Sequence, residues 1–154
     1  MRTGLAPSEA ADLLAAALGA RTTRSEAGDV FVVLDVPDGP ARQIGGRVQG
    51  NPFLPLPDDG PEDASVLDGY DTDRDVGVLS RDEEVLRAAS RAVFDRLVAA
   101  LPWPALLLVE TDLLVAAKLP GAAAVDFPSG TTPDAADREA WLPFALTGDP
   151  GGTA

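Results

Sequence analysis

The sequence predicts an α+β fold with a mostly antiparallel sheet of about five strands, two main helices and a short C-terminal helix. Two stretches carry helical caps and apolar residues at helical spacing, and short apolar runs rich in β-branched residues alternate with turn residues. A chain of 154 residues has the length of one domain. We expect a single α+β domain over residues 1–147 and a flexible tail over residues 148–154.

The first helix is predicted to start at Pro7 and Ser8, with Ser8 as its N-cap, and to end at Gly19. Glu9 and Asp12 place carboxylates in the first turn, where the helix dipole favours negative charge. The predicted apolar stripe consists of Leu13, Leu14, Ala17 and Leu18.

Several strands are predicted after this helix. Residues 30–34 are almost all β-branched or aromatic and predict a buried strand. Residues 42–49 contain two glycines and predict a weaker, more exposed strand. The other elements expected here are a candidate strand at residues 21–25, turns at residues 27–29 and 37–40, and a strand at residues 76–79.

A long loop and a well-marked helix follow. Residues 50–70 contain four prolines and an acidic run, which predicts a long loop within the domain. The helix over residues 80–101 is signalled by Ser80 and Glu83, which match a capping box, and by Pro102, which ends it. Its predicted apolar stripe consists of Val85, Leu86, Ala89, Val93, Leu97 and Val98.

The last third predicts a hairpin and a short helix. Two apolar runs, residues 105–109 and 113–117, flank a polar turn and predict an antiparallel hairpin. Thr132 before Pro133 predicts the cap of a helix that ends near Trp141. Trp103 and Trp141 are expected to be core residues, because large rings contribute much of the burial in a small domain.

Composition excludes several function classes. The chain has 12 basic and 25 acidic residues, a net charge of −13, and neither Cys nor His. Thiolate nucleophiles, disulfides, the usual histidine base and the usual nitrogen metal ligand are therefore absent. Strong negative charge repels phosphate backbones and anionic lipid. We expect a cytoplasmic protein that has no cofactor, no enzymatic activity and neither nucleic acid nor a membrane as partner.

One acidic motif resembles a calcium-binding loop. Asp71, Asp73 and Asp75 stand at positions 1, 3 and 5 of such a loop. Val76 stands where the loop requires glycine, and Glu83 falls at position 13 instead of 12. An acidic connection into a helix is therefore the preferred interpretation, and the candidate metal ligands of this motif are Asp71, Asp73, Asp75 and Glu83.

Acidic charge is concentrated in residues 58–84. This stretch has 11 acidic and 2 basic residues, a net charge of −9, which leaves −4 for the rest of the chain. Such a concentration predicts either a surface that attracts a basic protein partner or a solvated face that keeps the protein soluble. The carboxylates expected to bind a partner are Asp58, Asp59, Glu62, Asp63, Asp68, Asp71, Asp73 and Asp75.

Three further motifs have a structural and a functional interpretation, and the structural one is preferred for each. Glu110 and Asp112 could hold Mg²⁺ or act as an acid–base pair, or they are polar turn residues. Residues 130–132 could present amides to an anion, or they cap a helix. Residues 52–57 could dock in an aromatic groove as a polyproline segment, or they cover the protein's own sheet.

Residues 75–119 carry a family resemblance. They combine a short strand, the helix of residues 81–101, the sequence Pro102-Trp103-Pro104 and the hairpin. This arrangement resembles the Sit-type immunity proteins and related small bacterial proteins that neutralise polymorphic toxins. The resemblance implies a small α+β protein that binds and blocks a cognate toxin, often through an acidic surface, without catalysing a reaction.

The leading hypothesis is therefore a non-enzymatic acidic protein-binding module, an immunity protein whose toxin partner presents a basic surface. One alternative is a binding protein that resembles small secretion chaperones. Another is a carboxylate-based or metal-dependent hydrolase that uses the acids of residues 71–75, or Glu110 and Asp112.

Overall fold

The computed structural model describes residues 1–36, 42–53 and 63–146. These residues form helices and two antiparallel sheets, one with five strands and one with three. The predicted α+β class is confirmed. The hairpin, however, belongs to the smaller sheet and does not extend the larger one. The expected turn at residues 37–40 and the expected tail lie outside the described residues.

The chain divides into two compact units. The first comprises Met1–Gly4, Asn51–Asp71 and Pro102–Ala154, and the second comprises Leu5–Gly50 and Thr72–Leu101. Each unit is assembled from separate segments of the chain, so the single domain over residues 1–147 remains a prediction.

The second unit begins with helix α1, Pro7–Leu18. Its N-cap is Ala6, not Ser8, because Pro7 is itself the first helical residue and proline suits that position. Glu9 Oε2 accepts a hydrogen bond from the Ala6 amide at 3.2 Å. Gly19 ends the helix in the left-handed conformation, as predicted. Of the predicted stripe, Leu14 and Leu18 are buried, Ala17 is half-buried and Leu13 is 46% exposed. The other buried side chains of the helix are Ala10, Ala11 and Ala15, which were not predicted.

The larger sheet has the order β1-β2-β3-β4, with β5 also paired to β3. The five strands are β1 (Arg21–Arg24), β2 (Val30–Asp35), β3 (Gln43–Gly50), β4 (Thr72–Arg74) and β5 (Gly77–Val78). Strand β3 is paired on both sides, and it is more exposed than β2, as predicted, because Ile44 and Val48 are the two buried side chains among its eight residues. A Cβ on Gly46 would lie 1.6 Å from the Asp75 carbonyl oxygen, so glycine is required where these strands approach most closely.

Helix α2, Glu83–Ala100, packs against α1, and α1 packs on β1, β2 and β3. Asp82 is its N-cap, accepting from the Glu84 amide at 2.9 Å, while Ser80 accepts from the Asp82 amide at 3.1 Å. The predicted capping box of Ser80 with Glu83 is therefore wrong. The helix buries Ala89, Val93, Phe94 and Leu97.

The first unit contains the predicted hairpin. Strands β6 (Ala105–Val109) and β7 (Leu113–Lys118) pair in antiparallel register, and a short β8 (Val125–Asp126), which was not predicted, joins β7. Glu110 and Thr111 in the connecting turn have φ of 55° and 68°. Both backbone angles lie in the left-handed region, which a β-branched residue such as threonine disfavours.

A small apolar core holds the first unit together. Val66, Tyr70, Leu114 and Trp141 are its buried members. The Tyr70 hydroxyl donates to the Phe144 carbonyl at 3.0 Å, and burial raises the pKa of this phenol. Trp141 is a core residue as predicted, whereas Trp103 is only half-buried.

Two predicted features of this unit need correction. The long loop over residues 50–70 is interrupted by a 3-10 helix, Val66–Gly69, which Ser65 caps. Thr132 is not a helix cap that accepts hydrogen bonds, because its amide and hydroxyl both donate to Asp137 Oδ2, at 2.7 and 2.8 Å. These bonds, the one from the amide above all, lower the pKa of Asp137. The chain then forms a 3-10 turn and the short helix α3, Arg138–Trp141.

Candidate partner-binding surface

The structure distributes the predicted partner-binding carboxylates over both units. Asp58, Asp59 and Glu62 lie outside the described residues. Asp63 is exposed and, with Asp68 and Asp71, belongs to the first unit. Asp73 and Asp75 belong to the second unit. The acidic stretch is therefore not one continuous surface loop.

Asp68 and Asp71 use their carboxylates inside the first unit. Asp68 Oδ2 accepts from the Ser65 amide at 3.0 Å. Asp71 Oδ1 accepts from the Thr3 amide at 2.8 Å, and its Oδ2 accepts from the Gly4 amide at 2.7 Å. Asp71 thus fastens the N-terminal segment, a role that gives its carboxylate a structural function.

Asp73 lies on the face of β4 opposite to Arg74. Arg74 pairs with the buried Val48 and lies on the inner face, because the side chains of a strand alternate between its two faces. Asp73 Oδ2 accepts from the Gln49 side-chain amide at 2.9 Å, and Asp75 is exposed. This face of the edge strand is consequently acidic.

The acidic character continues through the connection into α2. We use the name acidic ridge for Asp73, Asp75, Leu79, Asp82, Glu83 and Glu84. Over residues 73–84, five carboxylates and two guanidinium groups give a net charge of −3. Leu79 is 85% exposed in the middle of the ridge. Ion pairs in the described part of the chain join Arg21 to Asp35, Arg47 to Asp29 and Arg91 to Asp95, so none of them neutralises the ridge.

The candidate metal ligands have separate local roles. Asp71 binds backbone amides, Asp73 lies in β4, Asp75 directly follows this strand, and Glu83 is the first residue of α2. Among the described residues, no three Asp, Glu, His or Cys side chains are grouped to hold a metal ion. Glu110 and Asp112 occupy the exposed hairpin turn, the place that the structural interpretation gave them.

Arg74 is a feature that sequence reasoning missed. Its Nε, Nη1 and Nη2 atoms are all buried, and none has a hydrogen-bond partner among the described residues. Burial lowers the pKa of this guanidinium to about 10, while the negative charge of Asp75 acts in the opposite direction. The sequence signal that could have predicted this burial is the alternation of acidic and other residues from Asp71 to Asp75, because in a strand with its aspartates outside, Arg74 would face inward.

The other predicted motifs are the proline-rich segment, residues 52–57, and residues 130–132. Phe53 is half exposed, and residues 54–57 of the proline-rich segment lie outside the described residues. Within residues 130–132, Thr131 is buried and its hydroxyl donates to the Pro128 carbonyl at 2.8 Å, so this side chain has a structural role. In the described residues, no helix has the length and apolar character that crossing a membrane requires.

No protein-family model, curated protein or solved structure matches this chain.

Proposed function

We propose that this protein is a non-enzymatic binding protein whose acidic ridge engages a basic surface on a protein partner. In the form implied by the resemblance to Sit-type proteins, the partner is a toxin and the complex blocks its activity. The observation that carries the proposal is the segment of residues 73–84, whose carboxylates have no ion-pair partners in the described residues and whose Leu79 is 85% exposed.

Charge and apolar exposure favour binding for different reasons. Unneutralised carboxylates create a field that accelerates the encounter with a basic surface, and this effect weakens as salt screens it. An exposed large apolar side chain inside a polar rim is typical of a contact whose burial supplies binding energy. Leu79 with Asp75 on one side and Glu83 on the other has this composition.

The structure also refines which residues a test must change. Replacing Asp71 would release the N-terminal segment, and replacing Asp82 would remove the cap of α2. Asp75, Glu83 and Glu84 are exposed and have no hydrogen bond through their side chains to any described residue, so neutralising them leaves the hydrogen bonds of the fold intact.

The test compares two variants of equal charge. The ridge variant carries Asp75→Asn, Glu83→Gln and Glu84→Gln. Removing three of the thirteen net negative charges leaves −10. The control variant removes three exposed carboxylates elsewhere and has the same net charge; its substitutions are Asp12→Asn, Glu26→Gln and Glu139→Gln.

Each protein is immobilised and incubated with lysate of the bacterium that encodes it, and bound proteins are eluted by raising NaCl from about 50 mM to about 500 mM. A basic protein identified by mass spectrometry is then purified, and its affinity is measured by calorimetry. We expect the ridge variant to bind it at least tenfold more weakly than the control variant. Equal affinities for the two variants would contradict the proposal.

A further inference from the structure

Strand β6 forms an apolar outer edge of the smaller sheet. The strand order is β6-β7-β8, so β6 pairs with β7 and with no second strand of the described residues. Its sequence, Ala-Leu-Leu-Leu-Val over Ala105–Val109, contains neither a charged residue nor a proline. Ala105 is buried and the other four residues are half-buried. An apolar edge strand without charge or proline is prone to pair with a further strand.

The other outer strands of the described residues have features that prevent such pairing. Strand β1 is four residues long and carries Arg21 and Arg24 at its ends, and β4 has three residues with Asp73 at its centre. Strands β5 and β8 have two residues each. Charged side chains and short strands protect an edge from pairing with another chain. Strand β6 is therefore the edge that is suited to accept a strand.

Hydrogen bonds of β7 show which backbone groups of β6 face the outer edge. The Leu114 amide donates to the Thr131 carbonyl at 2.8 Å, so it does not bond to Leu108, its partner in β6. The extra residue of the hairpin, Val115, lies in β7, so β6 itself is continuous. Bonded and non-bonded residues alternate along an antiparallel strand, so Leu106 shares the orientation of Leu108. The amides and carbonyls of these two leucines consequently face the outer edge.

Residues of opposite charge stand at the two ends of this edge. Arg2 lies at its start, where the Arg2 amide donates to the Pro104 carbonyl at 3.1 Å. Glu110 directly follows Val109 at its other end and is exposed. In an antiparallel pair of identical strands, the start of each strand meets the end of the other. Arg2 of each copy then approaches Glu110 of the other copy, and opposite charges across neighbouring strands attract.

We infer that a second copy of this chain pairs with the β6 edge about a twofold axis, so that two three-stranded sheets join into one of six strands. The register centred on Leu107 uses every amide and carbonyl of Leu106 and Leu108 for hydrogen bonds between the copies. Leu107 then faces its counterpart across the axis, and Ala105 faces Val109. The paired strands contain no charge, so no like charges meet within them. The inference goes beyond the proposed function and does not rest on it.

Sedimentation equilibrium of the full chain from about 10 µM to about 1 mM tests the assembly. About 150 mM NaCl screens the repulsion between two chains that each carry a net charge of −13. We expect the mass to rise from 15.9 kDa towards twice that value. The expected dissociation constant is about 100 µM, because a single pair of short strands buries a small interface. A mass of one chain at about 1 mM would overturn the inference.

Charge variants at the axis test whether the dimer uses this edge. Leu107→Lys and Leu107→Glu each place like charges opposite one another, and each should weaken the dimer at least tenfold. An equimolar mixture of the two should restore association to within about threefold, because an ammonium group then faces a carboxylate. Leu113→Lys changes an exposed leucine of β7 in the same hairpin and should leave the dissociation constant within about twofold. A dimer that both Leu107 variants retain would contradict pairing through β6.

Amide hydrogen exchange of the wild-type chain tests the register without a substitution. The amides of Leu106 and Leu108 are bonded only in the dimer, whereas the Leu107 amide bonds to β7 in the single chain as well. Between about 50 µM and about 1 mM, we expect exchange at Leu106 and Leu108 to slow at least twofold, as measured by NMR. The Leu107 amide should exchange slowly at both concentrations. A dimer in which exchange at Leu106 and Leu108 is unchanged would refute this register and this edge.

Discussion

Replacing Arg74 by methionine is expected to stabilise the protein. The three guanidinium nitrogens are buried without hydrogen-bond partners among the described residues, and burial lowers the pKa of Arg74 from its ordinary value to about 10. One pKa unit corresponds to 1.36 kcal/mol, so this environment disfavours the charged form by about 3 kcal/mol. Methionine keeps an apolar stem in the same space, removes the charge and forgoes the attraction of Asp75. We expect the free energy of unfolding to rise by about 1–3 kcal/mol.

Urea unfolding followed by tryptophan fluorescence measures this effect. With a slope of about 2 kcal/mol/M, the midpoint of Arg74→Met should rise by about 0.5–1.5 M while the slope stays unchanged. Arg74→Lys is the matched control, because it keeps a buried positive charge and should give no gain. If Arg74→Met lowered the midpoint, the guanidinium would have a favourable partner in solution, and the reasoning from its burial would be refuted.

Three other substitutions test local features. Thr111→Gly should raise the free energy of unfolding, measured by thermal unfolding, by about 0.5–1 kcal/mol. Glycine adopts the left-handed backbone of this position without steric strain, and this gain outweighs the larger conformational entropy that glycine loses on folding. A loss of stability would argue against strain in this turn. Gly46→Ala should lower the free energy of unfolding by about 2 kcal/mol or more, because its Cβ would collide with the Asp75 carbonyl oxygen. Gly77→Ala is the control, because its Cβ has room, and it should change the free energy of unfolding by less than about 0.5 kcal/mol. Similar urea midpoints for the two variants would rule out the close approach. Because the pKa of Asp137 is lowered, its stabilising contribution is present above the unfolded-state pKa of about 3.9 and is lost as pH falls below it. Asp137→Asn should therefore lose less stability than the wild type between about pH 7 and about pH 3, and an unchanged acid dependence of Tm would count against the assignment.

Elements with strong local signals could be predicted from the sequence. The hairpin was found because two apolar runs flank a polar turn, and α1 and α2 were found from their periodicity. The exact cap residues and buried faces of these helices could not be predicted, because neighbouring residues are equally suited to the same role. Ser80 and Asp82 are both good cap residues two positions apart, and local sequence alone gave no reason to prefer Asp82. In an alanine-rich helix such as α1, small residues leave the phase of the buried face poorly determined, which explains the error at Leu13.

Features that depend on distant residues could not be predicted. Strand β4 contains Asp73 and is flanked by Asp71 and Asp75, and although aspartate disfavours strands, β4 forms because β3 supplies a pairing edge. The structural role of Asp71 depends on Thr3 and Gly4, which lie 68 and 67 residues earlier in the sequence. The burial of Arg74 follows from the same strand assignment, so the missed strand also concealed the missed guanidinium.

Strand geometry also determines what the aspartates of this segment can do. A calcium loop brings the carboxylates at positions 1, 3 and 5 to one point by turning sharply, and it needs glycine at the turn. In an extended strand, alternate residues lie about 7 Å apart along a line, and Asp73 lies in such a strand, β4, which Asp75 directly follows, so the chain does not turn sharply between them. Carboxylates spaced along an extended chain match an extended basic segment better than a single ion. We therefore expect calorimetric titration with Ca²⁺ or Mg²⁺ at about 1 mM to give no binding heat, and a saturable signal that Asp73→Asn with Asp75→Asn abolished would contradict this account of the segment.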